Sequence, residues 1–246
     1  MFKATATIVS LFQLLALAGT VLGVYTLGVT TPDLILVLIG YILYTGIGTS
    51  MMMHRYWSHK SFEFKWPWLK WIFTFFALVL GRGSVIGWVH VHREHHAYSD
   101  TEKDPTLPSW RVFFPHLKNY VGEFKKFIVR DLLNREHYLI DKYYVLIVLG
   151  WILFLAVIDV RLAVYLWFVP AFISHVILNS FTYFGHKVGY KSYQHRDESR
   201  NLWIFGLLLW GEGWHNNHHK DVKNFSMQHR WWELDLIAPL IHLVKK

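Results

Sequence analysis

Three histidines spaced i, i+3, i+4 stand in His92-Arg93-Glu94-His95-His96, and the spacing returns in His215-Asn216-Asn217-His218-His219. On a helix each triplet falls on one face, with its imidazoles in reach of a common point. A looser pair, His54 and His59, precedes them. Eight imidazoles in three clusters, in a chain without cysteine, point to a metal centre. Neutral imidazole suits zinc, copper, iron or nickel, so ligand type alone does not name the metal. A closed structural zinc site uses four ligands, and this set exceeds what one tetrahedral ion can take. Two ions of higher coordination fit the number. On a regular helix an i, i+5 pair lies about 140° apart, so the helix carrying His54 and His59 is expected to end or distort between them. Glu94, Asp100, Asp104 and Glu212 stand beside the clusters and are candidates for orienting the rings. The isolated histidines, His90, His116, His137, His175, His195, His229 and His242, are expected to be hydrogen-bonded packing residues.

The elements that must position these rings follow from composition. Of 246 residues, 53% are hydrophobic, too apolar for an ordinary soluble domain. With no cysteine the chain holds neither disulfides nor a thiolate-bound cluster of its own. The formal charge of +8 sits on loop Lys and Arg, which fits the positive-inside bias and gives no support to nucleic acid. Spans are expected at residues 5–29, 34–53, 143–158 and 162–181, with Pro170 kinking the last. The first apolar run outlasts a signal peptide's and is expected to be a retained helix. Residues 60–142, rich in Lys and Arg, read as cytoplasmic. Within them residues 66–80 are too short to cross and read as a helix in the interface, and residues 110–135 as an amphipathic helical region. The expected fold is a single all-α membrane domain over residues 1–246: four transmembrane helices and a cytoplasmic helical cap carrying the histidines, with both termini on that side.

Residues 48–59, the run Trp88 to Pro105 and the run Gly211 to His219 together resemble the three histidine boxes of membrane fatty acyl desaturases, in order and in spacing. The likeness covers about residues 34–228 and is nearest the delta-nine type. It implies a di-iron centre that uses O2 and two electrons to remove hydrogens from adjacent methylenes of a saturated acyl chain. It also adds a ninth ligand, because His186-Lys187-Val188-Gly189-Tyr190 matches the context of a further family histidine after the fourth span. The implied metal ligands are therefore His54, His59, His92, His95, His96, His186, His215, His218 and His219. The family places an Asn four residues before that ninth histidine; here the position is Thr182, and Asn179 lies seven before.

The acyl chain is expected in a narrow apolar tunnel, with Arg82 and Trp88 among its lining; Arg82 stands where similar acyl-lipid members commonly have Gln. His90 and Val91 replace the Arg and Asp that contact CoA in acyl-CoA members. The resemblance therefore leans to acyl-lipid substrates, with acyl-CoA the alternative. No His-Pro-Gly-Gly of a fused cytochrome occurs, so electrons are expected from a separate ferredoxin or small b-type cytochrome, and lipid is the surrounding partner. Competing readings are a di-iron hydroxylase or ketolase of the same superfamily, a bis-His haem protein and a metal transporter.

Overall fold

A computed structural model describes residues 5–107 and 124–246. Among the described residues the chain is helical, with isolated bridges such as Phe64 to Lys245 and no extended strand. Four helices are long and apolar enough to cross a membrane: Thr7–Leu27, Thr31–Ser58, Arg135–Ile158 and Val160–Phe184. Their outward faces stay apolar and uncovered, as at Leu22, Leu146 and Val157, which suits contact with lipid.

The boundaries differ from the sequence expectation for local reasons. The first span stops at Leu27 because Gly28 turns the chain at a φ of 61°. The second begins at Thr31, where Thr30 N donates to Asp33 Oδ2 at 2.7 Å in a capping box. It then runs past residue 53 to Ser58. From Ile42 its winding is i→i+5, and His59 N donates to His54 O at 3.2 Å. The third span begins eight residues before Tyr143, at Arg135, because Asn134 Oδ1 accepts from His137 N at 3.0 Å and starts the helix among charged residues. The fourth outlasts its expected limits at both ends. Just before Pro170, which has no N–H to give, the stretch Ala163–Phe168 winds wider.

Residues 66–80 supply an 11-residue helix, Leu69–Val79, about 16 Å long and half of what a crossing needs. Trp66 and Trp68 before it are exposed. Of the amphipathic region expected at 110–135, residues 108–123, with His116, lie outside the described residues. The remainder of that region corrects the expectation of a helix: Lys126–Leu132 is a short 3-10 segment, and regular helix resumes only at Arg135.

Arg161 ties the bundle at one end. Its Nε donates to Asp33 Oδ1 at 3.2 Å and its Nη1 to Leu27 O at 3.1 Å. The turn joining spans one and two therefore meets the turn joining spans three and four. His54 lies at the other end of the second span, under a cap built from Val85–Tyr98, Trp203–Leu208, His215–Lys220 and Ala238–Val244.

The Leu69–Val79 helix lies against the second span so closely that a Cβ on Gly48 would stand 2.8 Å from the Cα and N of Ala77. Backbone cannot yield as a side chain can. Gly48→Ala should therefore destabilise the protein by about 1–3 kcal/mol, read as a lower melting temperature in detergent. Gly150→Ala, where a Cβ meets nothing within 4 Å, should leave it unchanged.

Candidate metal centre

Four separate segments bring nine imidazoles together. His54 and His59 come from the end of the second span. At roughly 4.4 residues per turn, the i→i+5 winding brings an i, i+5 pair to within about 50° of each other, so both rings share a face. His92, His95 and His96 come from Val85–Tyr98, whose N-cap Ser84 Oγ accepts from Gly87 N at 3.3 Å. His186 follows the fourth span, and His215, His218 and His219 come from His215–Lys220.

The rings do not gather box by box. One group is His54, His59, His92, His96 and His218; the other is His95, His186, His215 and His219, with the ligand atoms of each within 4.8 Å of one another. Each triplet is split, because i+3 and i+4 lie on opposite sides of the first ring's axis. The groups adjoin, the rings of His96 and His219 being 4.4 Å apart at their centroids.

Within the larger group Nε2 faces Nε2: His54 to His218 at 3.0 Å, His59 to His92 at 2.7 Å, and His96 to His92 and His218 at 3.0 and 3.1 Å. In the smaller group His186 Nε2 lies 2.9 Å from His215 Nε2. With metal–nitrogen bonds of about 2.0–2.1 Å, two ligands at right angles stand about 2.8–3.0 Å apart. The spacing is the edge of a coordination shell. Five donors exceed a tetrahedron, so the larger group suits an ion of higher coordination number, and the smaller group offers four. His219 Nε2 is buried with no hydrogen-bond partner while its Nδ1 faces Asp197. A lone pair aimed into such a group is what a cation would satisfy. Neighbouring rings at 4.4 Å leave no slot for a macrocycle, so the cluster gives the haem reading no support.

Carboxylates stand behind the rings. His95 Nδ1 donates to Asp104 Oδ2 at 3.0 Å, His186 Nδ1 to Asp100 Oδ2 at 2.8 Å, and His219 Nδ1 to Asp197 Oδ2 at 3.1 Å. Glu212 Oε2 meets His54 Nδ1, and its Oε1 accepts from Ser50 Oγ at 2.5 Å. Burial works to raise these carboxyls, but their donors outweigh it and hold all four below the usual range. The rings go the other way. Burial first, then neighbouring imidazoles, pushes His59, His92, His96, His215 and His218 well below 6.5. Burial brings His219 to about 4 against the opposing pull of Asp197. Rings pushed toward the neutral form, and outer nitrogens held by carboxylates at His54, His95, His186 and His219, both favour metal binding.

Of the candidate orienting residues, Asp100, Asp104 and Glu212 meet these rings. Three others do not. Glu94 pairs with Lys125 at 2.5 Å and lies 3.9 Å from His90. The Thr182 hydroxyl donates to Leu178 O, and Asn179 Oδ1 accepts from Arg82 Nη1 at 3.1 Å. Sequence reasoning misses Asp197, which stands in the run Gln194-His195-Arg196-Asp197-Glu198 and reads there as part of a solvated loop. The asparagines inside the third box also have a function that spacing alone does not suggest. Asn201 Oδ1 accepts from the amides of Asn216 and Asn217, Asn216 Oδ1 from those of Ser192 and Tyr193, and Asn217 Nδ2 donates to Glu233. They staple the six-residue histidine helix to the loop that carries Asp197.

The isolated histidines of the described part stay outside both groups. His90 Nε2 accepts from Lys125 N, His137 meets Asn134 and the Trp57 ring, and His175 meets Arg82. His195 meets Asn216 O, His229 the Tyr193 hydroxyl, and His242 the Phe225 ring. Trp88 stacks on His92 with centroids 4.9 Å apart and 16° between planes. Arg82 stands in the turn between the Leu69–Val79 and Val85–Tyr98 helices and reaches the fourth span through His175 and Asn179.

Comparison with known proteins agrees with this architecture. The model of the family described as fatty acid desaturase matches residues 31–243. Over 216 residues the chain is 36% identical to an sn-1 stearoyl-lipid 9-desaturase of Synechocystis sp., covering 80% of this chain and 64% of that protein. It is 31% identical to an sn-2 palmitoyl-lipid 9-desaturase of Nostoc sp., covering 82% and 75%. To the Delta-9 acyl-lipid desaturase 1 of Arabidopsis thaliana it is 30% identical, covering 80% and 68%. The chain thus spans about two thirds to three quarters of these relatives. With a helical bundle of this kind and a family match over most of its length, the chain belongs to the fatty acid desaturase family.

Proposed function

We propose that the protein is an oxygen-dependent fatty acyl desaturase working through a pair of iron ions, one in each histidine group. The observation that carries this is the interleaving of five and four imidazoles at the end of a four-helix apolar bundle. Relatives named as acyl-lipid 9-desaturases support a lipid-linked acyl substrate and a cis bond at the delta-nine position, with acyl-CoA as the alternative carrier. The whole chain acts as one membrane-embedded unit. Its termini and histidines lie on the cytoplasmic side, a reading supported by the Lys and Arg of residues 60–142.

The reaction balances as –CH2–CH2– + O2 + 2 e⁻ + 2 H⁺ → –CH=CH– + 2 H2O. Bound iron and dioxygen supply the oxidising power for two unactivated C–H bonds, which no side chain here can provide. The residues do the rest. Asp100, Asp104, Asp197 and Glu212 hold the Nδ1 protons of His186, His95, His219 and His54, so that each Nε2 lone pair points inward. Rigid helices fix the rings, and burial keeps water from them. Arg82 and Trp88 are assigned to the wall of the acyl tunnel, whose shape selects the carbon pair. Electrons come from a separate carrier.

Expression in a host lacking unsaturated acyl chains, with extracted fatty acids mapped for double-bond position, should show loss of one hydrogen from each of carbons nine and ten. Gain of one oxygen would identify a hydroxylase instead. His218→Ala should abolish product and lower bound iron, while His242→Ala, an exposed ring outside both groups, should change neither. Asp197→Asn should weaken iron affinity about 10–100-fold with the fold intact, read by metal titration.

The metal-free protein should also answer to pH. His219, lowered from 6.5 to about 4, binds fewer protons folded than unfolded in that interval, and His59, His92, His96, His215 and His218 are shifted in the same direction, so stability rises with pH across it. Melting of chelator-treated protein should move to lower temperature as pH falls from 6.5 to 4. A flat profile would mean the rings are not buried as neutral bases.

A further inference from the structure

A groove of about 680 Å³ opens beside the five-histidine group, floored by Ser58 and walled by Lys60, Arg93, Arg130 and Lys223. Four cations face a single carboxylate there, Asp131, which Lys60 and Arg93 each hold at 2.7 Å. Three positive charges remain in excess. Lys60, Arg130 and Lys223 are exposed, and at the rim Phe127 is 73% exposed.

Beneath this groove runs the main chain that leads into a candidate ligand, His59. Arg93 Nε donates to Ser58 O and its Nη2 to Trp57 O, both at 2.9 Å, and Lys223 Nζ donates to His59 O at 3.0 Å. Ser58 precedes His59 in the chain, and Arg93 follows His92.

From this we infer that the groove is the docking site of the electron carrier, a small acidic protein with a one-electron iron–sulfur or b-haem centre. The inference rests on the desaturase reading. Two dockings deliver the two electrons of each double bond, the carrier being oxidised by one electron each time. The chemistry favours an acidic protein surface over a phosphate headgroup. Arg93 has its Nε, Nη1 and Nη2 already engaged by Ser58, Ile128, Trp57 and Asp131, and Lys60 and Lys223 are engaged as well. Outward, the groove offers a positive field and an exposed aromatic ring. That combination steers and anchors a protein, whereas a phosphate needs free donors converging on one point.

The test uses the iron-loaded protein in discs of neutral lipid. A plant-type ferredoxin and a soluble b-type haem domain serve as carriers, and reduced methyl viologen, a small cation, as a donor that needs no docking. Arg130→Glu and Phe127→Ala alter the exposed rim only. Each should weaken carrier binding and raise its KM about tenfold, leave turnover with viologen unchanged, and flatten the dependence on ionic strength for Arg130→Glu. The inference fails if neither carrier binds the wild type, or if both variants bind and turn over with the carriers as the wild type does. It fails equally if rates with carrier and viologen fall together. Loss of binding to discs of anionic lipid with an unchanged carrier KM would instead assign the groove to membrane headgroups. Binding is measured apart from turnover, so a chain that docks the carrier at this rim yet makes no double bond sinks the desaturase reading and not the docking site.

Discussion

Burying a base without a proton or a partner is the constraint on which this structure turns. Nine imidazoles lie in two adjoining groups with their ring nitrogens facing one another at hydrogen-bond distance. Carboxylates already take the outer Nδ1 protons of four of them, so lone pairs are left facing inward. Buried acceptors without donors cost free energy comparable to a lost hydrogen bond each. A cation at each focus removes that penalty, and for this reason metal binding and native packing in such a site are one equilibrium. The lowered pKa values of His59, His92, His96, His215, His218 and His219 have the same origin: burial and mutual repulsion oppose protonation, which is the competing way to fill the space.

The splitting of each triplet between the two groups makes the centre a lock on long-range order. His92 and His96 serve one group and His95 the other; His218 serves one and His215 with His219 the other. The five-histidine focus needs the second span, the Val85–Tyr98 helix and the His215–Lys220 helix in register, and the four-histidine focus needs the same two short helices together with His186 after the fourth span. The six-residue histidine helix is too short to be stable alone, and its asparagines supply the missing order by bonding to Asn201, Ser192 and Tyr193. The bundle contributes its ends. Arg161 and Asp33 align the spans at the far side, so that His54 and His186 emerge at the same side as the cap.

How much of this is readable from residues alone depends on whether the signal is local. The triplets declare themselves because i, i+3, i+4 has one meaning on a helix. The four apolar runs show through their length, although charged starts such as Arg135 hide their ends until a cap like Asn134 is recognised. The His54–His59 spacing signals a distortion between them, but the sequence does not say which. Helix termination and i→i+5 winding both fit the pattern, and only the hydrogen bond from His59 N to His54 O separates them. Asp197 is illegible for a different reason. Its partner His219 is 22 positions away, and a lone acid in a charged loop carries no periodicity.

The fourth span shows where a resemblance and a particular chain part company. Asn179 and Thr182, the two polar candidates on its last turns, are engaged elsewhere: one accepts from Arg82, the other donates to its own helix at Leu178 O. Arg82 puts a cation where the apolar bundle meets the cap, and a cation so placed must recruit acceptors. Asn179 Oδ1 and His175 Nδ1, each 3.1 Å from Arg82 Nη1, meet that need. Polar compensation for the four-histidine group comes instead from the cap, through Asp100, Asp104 and Asp197. The same loop geometry that orders these acids, with Asp100 N donating to Asp104 and the Glu198 amide donating to Asp100, links the second box to the segment before the third. Compensation for the rings and for Arg82 is thus divided between two layers: the acids of the cap serve the centre, and the neutral polar groups of the fourth span serve the cation.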